Sequence, residues 1–196
     1  MNIMKRIIAL LCAIILVFTL VGCGENKKDE GYSVDIEYFL KTGQIKEAQF
    51  ALGTPIKDIE KQIEKHMNEE SANLCQGEEI VLVEGTDYNY YNAPDFYYYY
   101  NVGSEEKGIS CIVGFTDIYG FSVGQTGEYT VKSALEQEKL EVTAAIADED
   151  EFFFMPFSIE NCRKLTCSID NNVLVFYFEN DALIAGVIYN KENWIA

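Results

Sequence analysis

Hydrophobic and polar positions along this chain change their period several times. Behind Lys5 and Arg6, residues 7–18 form an unbroken apolar run, and Thr19 is the sole polar interruption before Gly22. Over residues 33–41 the apolar positions are Ile36, Phe39 and Leu40, the i, i+3, i+4 spacing of one helical face. Ser33 stands where an N-cap belongs and Gly43 just past the end. A longer stripe follows at Ile56, Ile59, Ile63 and Met67, with charged residues off it, which predicts an amphipathic helix. Thr54 is its N-cap candidate, and Pro55 falls at the first helical position, where a missing N–H costs nothing. From Glu79 the runs become β-branched and aromatic. Residues 80–83, 88–91, 96–100 and 109–115 read as strands, punctuated by Gly85, by Asn92 to Asp95 and by Gly103 to Gly108. Successive antiparallel hairpins are the simplest reading.

The pattern then returns. Phe121-Ser122-Val123-Gly124-Gln125-Thr126 echoes Phe50-Ala51-Leu52-Gly53-Thr54-Pro55, with only the Phe and the Gly identical. Val131 and Leu135 stand where Ile59 and Ile63 stand, once one inserted residue is allowed. Strands are expected again at 152–157, 162–169, 173–178 and 183–189, the last three joined by polar turns at 170–172 and 179–181. The sequence therefore reads as an internal duplication of a helix-plus-hairpins unit. Its expected organisation is a signal segment at 1–22, a tether at 23–31, a first unit at 32–119 and a second at 120–196.

The N-terminal segment is an address. From Ile7 to Gly22 there are 16 residues, about 24 Å of helix, whereas a bilayer core of about 30 Å needs about 20 residues. A basic start, an apolar middle and a small residue before a cut are the layout of a secretory signal. Leu20-Val21-Gly22-Cys23 resembles the lipobox of bacterial lipoproteins. That resemblance implies cleavage before Cys23, a diacylglyceryl thioether on its sulfur, and a cell-membrane location on the extracytoplasmic face. Further acylation would strengthen the hold, since a single chain anchors only marginally. Gly24 to Gly31, polar throughout, reads as a flexible tether.

A lipobox followed by two "apolar-x-apolar-Gly-x-x" entries into short helices, each followed by hairpins, resembles the β-lactamase-inhibitor-like and small outer-membrane lipoprotein A-like repeats. The likeness spans approximately Phe50 to Tyr189. It implies an α+β fold in which two tandem units form one curved antiparallel sheet with helices on one face. It also implies a binder or assembly factor rather than a catalyst. The glycine stop that family helices often carry is absent here, where Ile63 leads into Glu64-Lys65-His66-Met67 and Leu135 into Glu136-Gln137-Glu138.

Charge narrows the partners. The chain has 15 Lys+Arg against 32 Asp+Glu, a net charge of −17, and one histidine. Loss of Lys5 and Arg6 with the signal takes this to −19. A nucleic-acid binder needs a basic footprint, and a His-rich metal site needs more than one histidine. No cofactor motif is present. The unusual internal feature is aromatic: Tyr88, Tyr90, Tyr91 and Tyr97 to Tyr100 fall close together. Side chains alternate across a strand, so if Phe96, Tyr98 and Tyr100 face the helix, Tyr97 and Tyr99 face outward. Tyr88, Tyr90, Tyr97 and Tyr99 are thus candidates for recognising a protein or a cell-wall component. Tyrosines are also good strand formers with their hydroxyls in water, and the sequence leaves both readings open.

Other candidates carry less. Cys75, Cys111, Cys162 and Cys167 remain after Cys12 departs and Cys23 is lipidated. They read either as buried free thiols or as holding at least one bridge. Cys162 and Cys167 on one extended strand stand about 17 Å apart, too far for a disulfide. His66 near a helix end reads as a surface or capping residue, since no nucleophile signature accompanies it. Asp148-Glu149-Asp150-Glu151 lacks the alternation of a calcium loop and reads as a solvated loop. Three function classes remain: a surface binder, a structural or assembly lipoprotein of an envelope complex, and a wall-directed hydrolase.

Overall fold

Helix α1 (Ile36–Thr42) is fixed at both ends by its own sequence. Asp35 caps it, its carboxylate accepting the Tyr38 N–H at 2.8 Å. Gly43, at φ 71°, ends it in the left-handed region, where Gly43 N–H donates to Leu40 O and Gln44 N–H to Phe39 O. The cap is therefore Asp35 rather than Ser33, which lies outside the described residues. The computed structural model describes residues 34–73, 80–148, 155 and 157–194, with side chains in the second helix only as far as Lys65. Val34–Ala196 forms one unit.

Helix α2 (Ile56–Asn73) buries Ile56 and Ile59, the start of the expected stripe. Thr54 does not cap it. Its hydroxyl instead donates to Ala51 O at 2.7 Å, closing the turn that precedes the helix. Helix α3 (Glu128–Gln137) buries Val131, Ala134 and Leu135. Its Glu128 N–H donates to a carboxylate oxygen of Asp181 at 3.1 Å, which supplies the anion a helix N-terminus favours.

Among the described residues eight strands join one antiparallel sheet: β1 (Val81–Val83), β2 (Tyr88–Asn92), β3 (Phe96–Asn101), β4 (Cys111–Gly114), β5 (Thr143–Ile146), β6 (Arg163–Ile169), β7 (Asn172–Glu179) and β8 (Ala182–Asn190). Their spatial order is β1-β2-β3-β4-β8-β7-β6-β5. The architecture is thus α+β, with two hairpin meanders meeting along their last strands. One expected strand is corrected. In the 152–157 stretch Met155 and Phe157 lie in bends, the other positions falling outside the described residues, and the strand before β6 is β5.

Turn chemistry explains the hairpins. Asn180 and Asp181, at φ 51° and 64°, make the two-residue β7–β8 turn in the conformation that matches strand twist. Strands β4, β7 and β8 are buried on both sides along most of their length, which is why they read as nearly continuous apolar runs. Along the central junction Ile112 pairs with Ile188, Val113 with Val187 and Gly114 with Gly186. The two facing glycines leave a notch that Ile118 fills: a Cβ on Gly186 would lie 2.7 Å from Ile118 Cδ1, and one on Gly114 3.2 Å from Ile118 Cγ1.

Two loops meet the sheet in matching ways. Gly53 N–H donates to Ile109 O and Gly124 N–H to Leu183 O, both at 2.7 Å. In return Ile109 N–H donates to Thr54 O and Leu183 N–H to Thr126 O. Phe50 packs edge-on to Tyr98, and Phe121 edge-on to Phe176.

Candidate functional site

Strand alternation divides the tyrosines as the sequence predicts. Tyr98 turns toward Phe50, and its hydroxyl oxygen accepts the Gln49 N–H at 3.1 Å. On the opposite side the ladder aligns Tyr90 with Tyr99 and Tyr99 with Cys111, then Tyr97 with Val113 and Val113 with Val187. Tyr88, Tyr90 and Tyr97 are half-buried there. Tyr90 stacks on both neighbours, 5.3 Å from Tyr97 and 4.9 Å from Tyr99 between ring centroids, with interplanar angles of 29° and 28°. Tyr97 meets Phe115 edge-on at 4.8 Å, and Phe115 meets Phe157 at 5.8 Å.

Tyr99 departs from expectation. It lies on the same side as Tyr97 but is fully buried, so it cannot present its ring to a partner. A second apolar layer covers it: Met155, Ile159, Cys162 and Trp194 pack into one cluster with Tyr99, Cys111, Val175 and Tyr177. Trp194 approaches Tyr99 at 5.9 Å and Tyr88 at 5.8 Å. It is held there by a backbone bond from its N–H to Asn190 O at 2.8 Å, and by the Asn101 side-chain amide, which donates to Asn193 O. Sequence reasoning missed this cover because Trp194 is a single aromatic near the end of the chain, with no periodicity to place it.

Burial sets the electrostatics. It raises the phenols of Tyr88 and Tyr99 above the usual tyrosine range, most strongly for Tyr99, with Asp87 adding to the effect at Tyr88. Burial likewise lifts the Cys111 thiol well above its ordinary value, and that of Cys167, beside Glu138, up to about 12. Cys162 is raised by burial and by Glu179. Cys111, Cys162 and Cys167 are free and buried, and thiols kept protonated are poor nucleophiles. The side opens at its β1 end, where Val81 and Val83 align with Asn92 and Tyr90.

Several candidates lie outside the described residues: Cys23, Cys75, the side chain of His66, and Glu149 to Glu151. Asp148 is exposed. No helix among the described residues is long and apolar enough to cross a membrane. Comparison with protein-family models, with curated proteins and with solved structures returns no match.

Proposed function

We propose that this chain is a non-catalytic, lipid-anchored extracytoplasmic protein. In this reading Cys23 holds it at the membrane, and the row of tyrosines takes a protein or cell-wall component. One observation supports recognition: Tyr88, Tyr90 and Tyr97 share one side of the sheet in ring contact and remain partly accessible. Rings already held by neighbours offer contact area with little side-chain entropy left to lose. Tyr99 belongs beneath this row as its support.

The architecture in this reading is a duplicated unit, with the helices of both copies on the side that carries Tyr98 and Phe176. Its support is the pairing of equivalent contacts. The displacement that relates Ile109 to Leu183 also relates Val113 to Val187, so the β4–β8 register falls on a local two-fold centred on those valines. The same correspondence places Tyr98, opposite Ile112, against Phe176, opposite Gly186. Each of these meets the Phe of its own echo segment. This is the arrangement implied by the resemblance to β-lactamase-inhibitor-like repeats.

Two measurements test the reading separately. Intact-mass analysis of protein extracted from membranes is expected to find a chain beginning at Cys23 with a diacylglyceryl adduct. An unprocessed Met1 end without acyl groups overturns the anchoring. For recognition, Tyr90→Ser combined with Tyr97→Ser is expected to preserve the far-UV spectrum and to abolish retention of a co-isolated protein or of purified wall polymer. Retention equal to the parent protein's overturns the assignment of this face.

A further inference from the structure

The tyrosine side of the sheet ends at an open strand. β1 is outermost among the described residues, and its Val81 and Leu82 remain 46% and 42% exposed. The ladder settles which backbone groups look outward. Ala93 N–H donates to Phe96 O and Val102 N–H to Asp87 O, so the odd-numbered residues of β2 bond to β3 and its even-numbered ones turn toward β1. Their partners Val83 and Val81 therefore bond inward, and the N–H and C=O of Leu82 point away from the sheet. An exposed edge of this kind is a template for an added strand.

Charge says what kind of strand. Between Lys65 and Lys107 the sequence holds nine acidic residues and no lysine or arginine. Glu84, Asp87 and Asp95 among them are exposed around β1 and β2. A second copy of this chain, itself at −17, would be repelled. Tyr97 and Tyr99, their ring centroids 6.3 Å apart on β3, both stack on Tyr90, and phenol hydroxyls accept hydrogen bonds from ammonium or guanidinium groups.

We propose that β1 is a docking edge for an extended lysine- or arginine-rich polypeptide segment. The segment pairs with Leu82, and its alternate side chains continue the surface formed by Val81, Val83, Tyr90 and Tyr97. This rests on the reading of that face as the recognition surface, and names its partner's chemistry.

The test uses the full chain in detergent micelles and two fluorescently labelled peptides, one alternating Lys and Val, the other Glu and Val. The Lys–Val peptide is expected to bind and to weaken as salt is added. The Glu–Val peptide should bind at least about tenfold more weakly. Leu82→Pro removes an N–H that the sheet does not use and places a ring in the path of an added strand. It should leave the far-UV spectrum and Trp194 emission unchanged and weaken the Lys–Val peptide by about tenfold or more. Glu84→Lys with Asp87→Lys, which alters no strand backbone, should weaken it similarly. Equal affinity for the two peptides overturns the proposal, as does absence of binding by both. Binding that survives Leu82→Pro but is lost in the Tyr90→Ser, Tyr97→Ser protein overturns the edge while leaving the recognition face intact. Binding indifferent to both sets of changes removes the face as well.

Discussion

Replacing Gly186 by alanine probes the centre of the sheet. The new Cβ would meet Ile118 Cδ1 at 2.7 Å, Ile118 Cγ2 at 3.2 Å and Phe176 Cδ1 at 3.5 Å. Ile118 has little room to retreat. It is fully buried, and its backbone exchanges two bonds with Phe121, each at 3.0 Å. Alanine in place of a strand glycine gains about 0.5–1 kcal/mol through the unfolded chain. Overpacking of this kind costs about 1–3 kcal/mol, so Gly186→Ala is expected to destabilise by about 1–2 kcal/mol net. Ile118→Val removes the 2.7 Å atom and alone costs about 0.5–1.5 kcal/mol. The combined protein should be less destabilised than the two changes added together, by about 1 kcal/mol. Urea titration followed by Trp194 emission reads both quantities. The Gly186→Ala midpoint should fall by about 0.5 M. An unchanged midpoint, or strictly additive single changes, would refute the account of a glycine notch filled by Ile118.

Two further outcomes are expected. Gly103 and Gly108 both adopt positive φ, at 77° and 70°, yet a Cβ at Gly103 meets nothing within 4 Å while one at Gly108 lies 2.3 Å from Thr54 O. Gly103→Ala should therefore cost about 1 kcal/mol from backbone conformation alone. Gly108→Ala should cost at least about 2 kcal/mol more, since a backbone atom must move, and equal urea midpoints would contradict the contact. Stability should also decline in alkali. Burial raises the thiols of Cys111 and Cys167 and the phenols of Tyr91, Tyr98 and Tyr99. The unfolded chain then releases its protons first, from about pH 8.5 for thiols and 10 for phenols. The folded state binds more protons over that range, so stability is complete below it and is lost as pH rises toward the folded values. Urea midpoints constant through about pH 11 would contradict this, as would thiol reagents that label Cys111 or Cys167 in the folded protein at pH 8 as fast as in urea.

What the sequence revealed follows side-chain type. Strands β1 to β4 and β6 to β8 fall within a residue or two of expectation, because each carries a run of β-branched or aromatic side chains, for the most part exposed in β1 and buried or half-buried in the others. β5 escaped notice because Thr143-Ala144-Ala145-Ile146, all exposed on an outer edge, has alanines at its centre, which are poor strand formers, and no burial alternation. Met155 and Phe157 misled for the opposite reason. Met155 is apolar because it packs over Tyr99 and Cys111, not because it joins a ladder, and hydropathy does not separate the two roles. For the candidate site, alternation correctly placed Tyr97 and Tyr99 together. Whether that side was open depended on Trp194 and the 155–162 segment, contacts made across long stretches of chain. The β4–β8 pairing was hidden in the same way, since hairpins are written locally and the seam between meanders is not.

That seam imposes a schedule on folding. β4 is complete by Gly114, but its second neighbour β8 runs only from Ala182 to Asn190. While the chain is emerging, Cys111–Gly114 is a naked apolar margin, and Ile118 has no Gly186 to sit against. The long loop must close before the central contact rewards it. Until the last hairpin arrives, the first half is adhesive toward other nascent chains. A protein built in this order acquires its middle last, and a chain cut short before β8 would have two flanks and no keel.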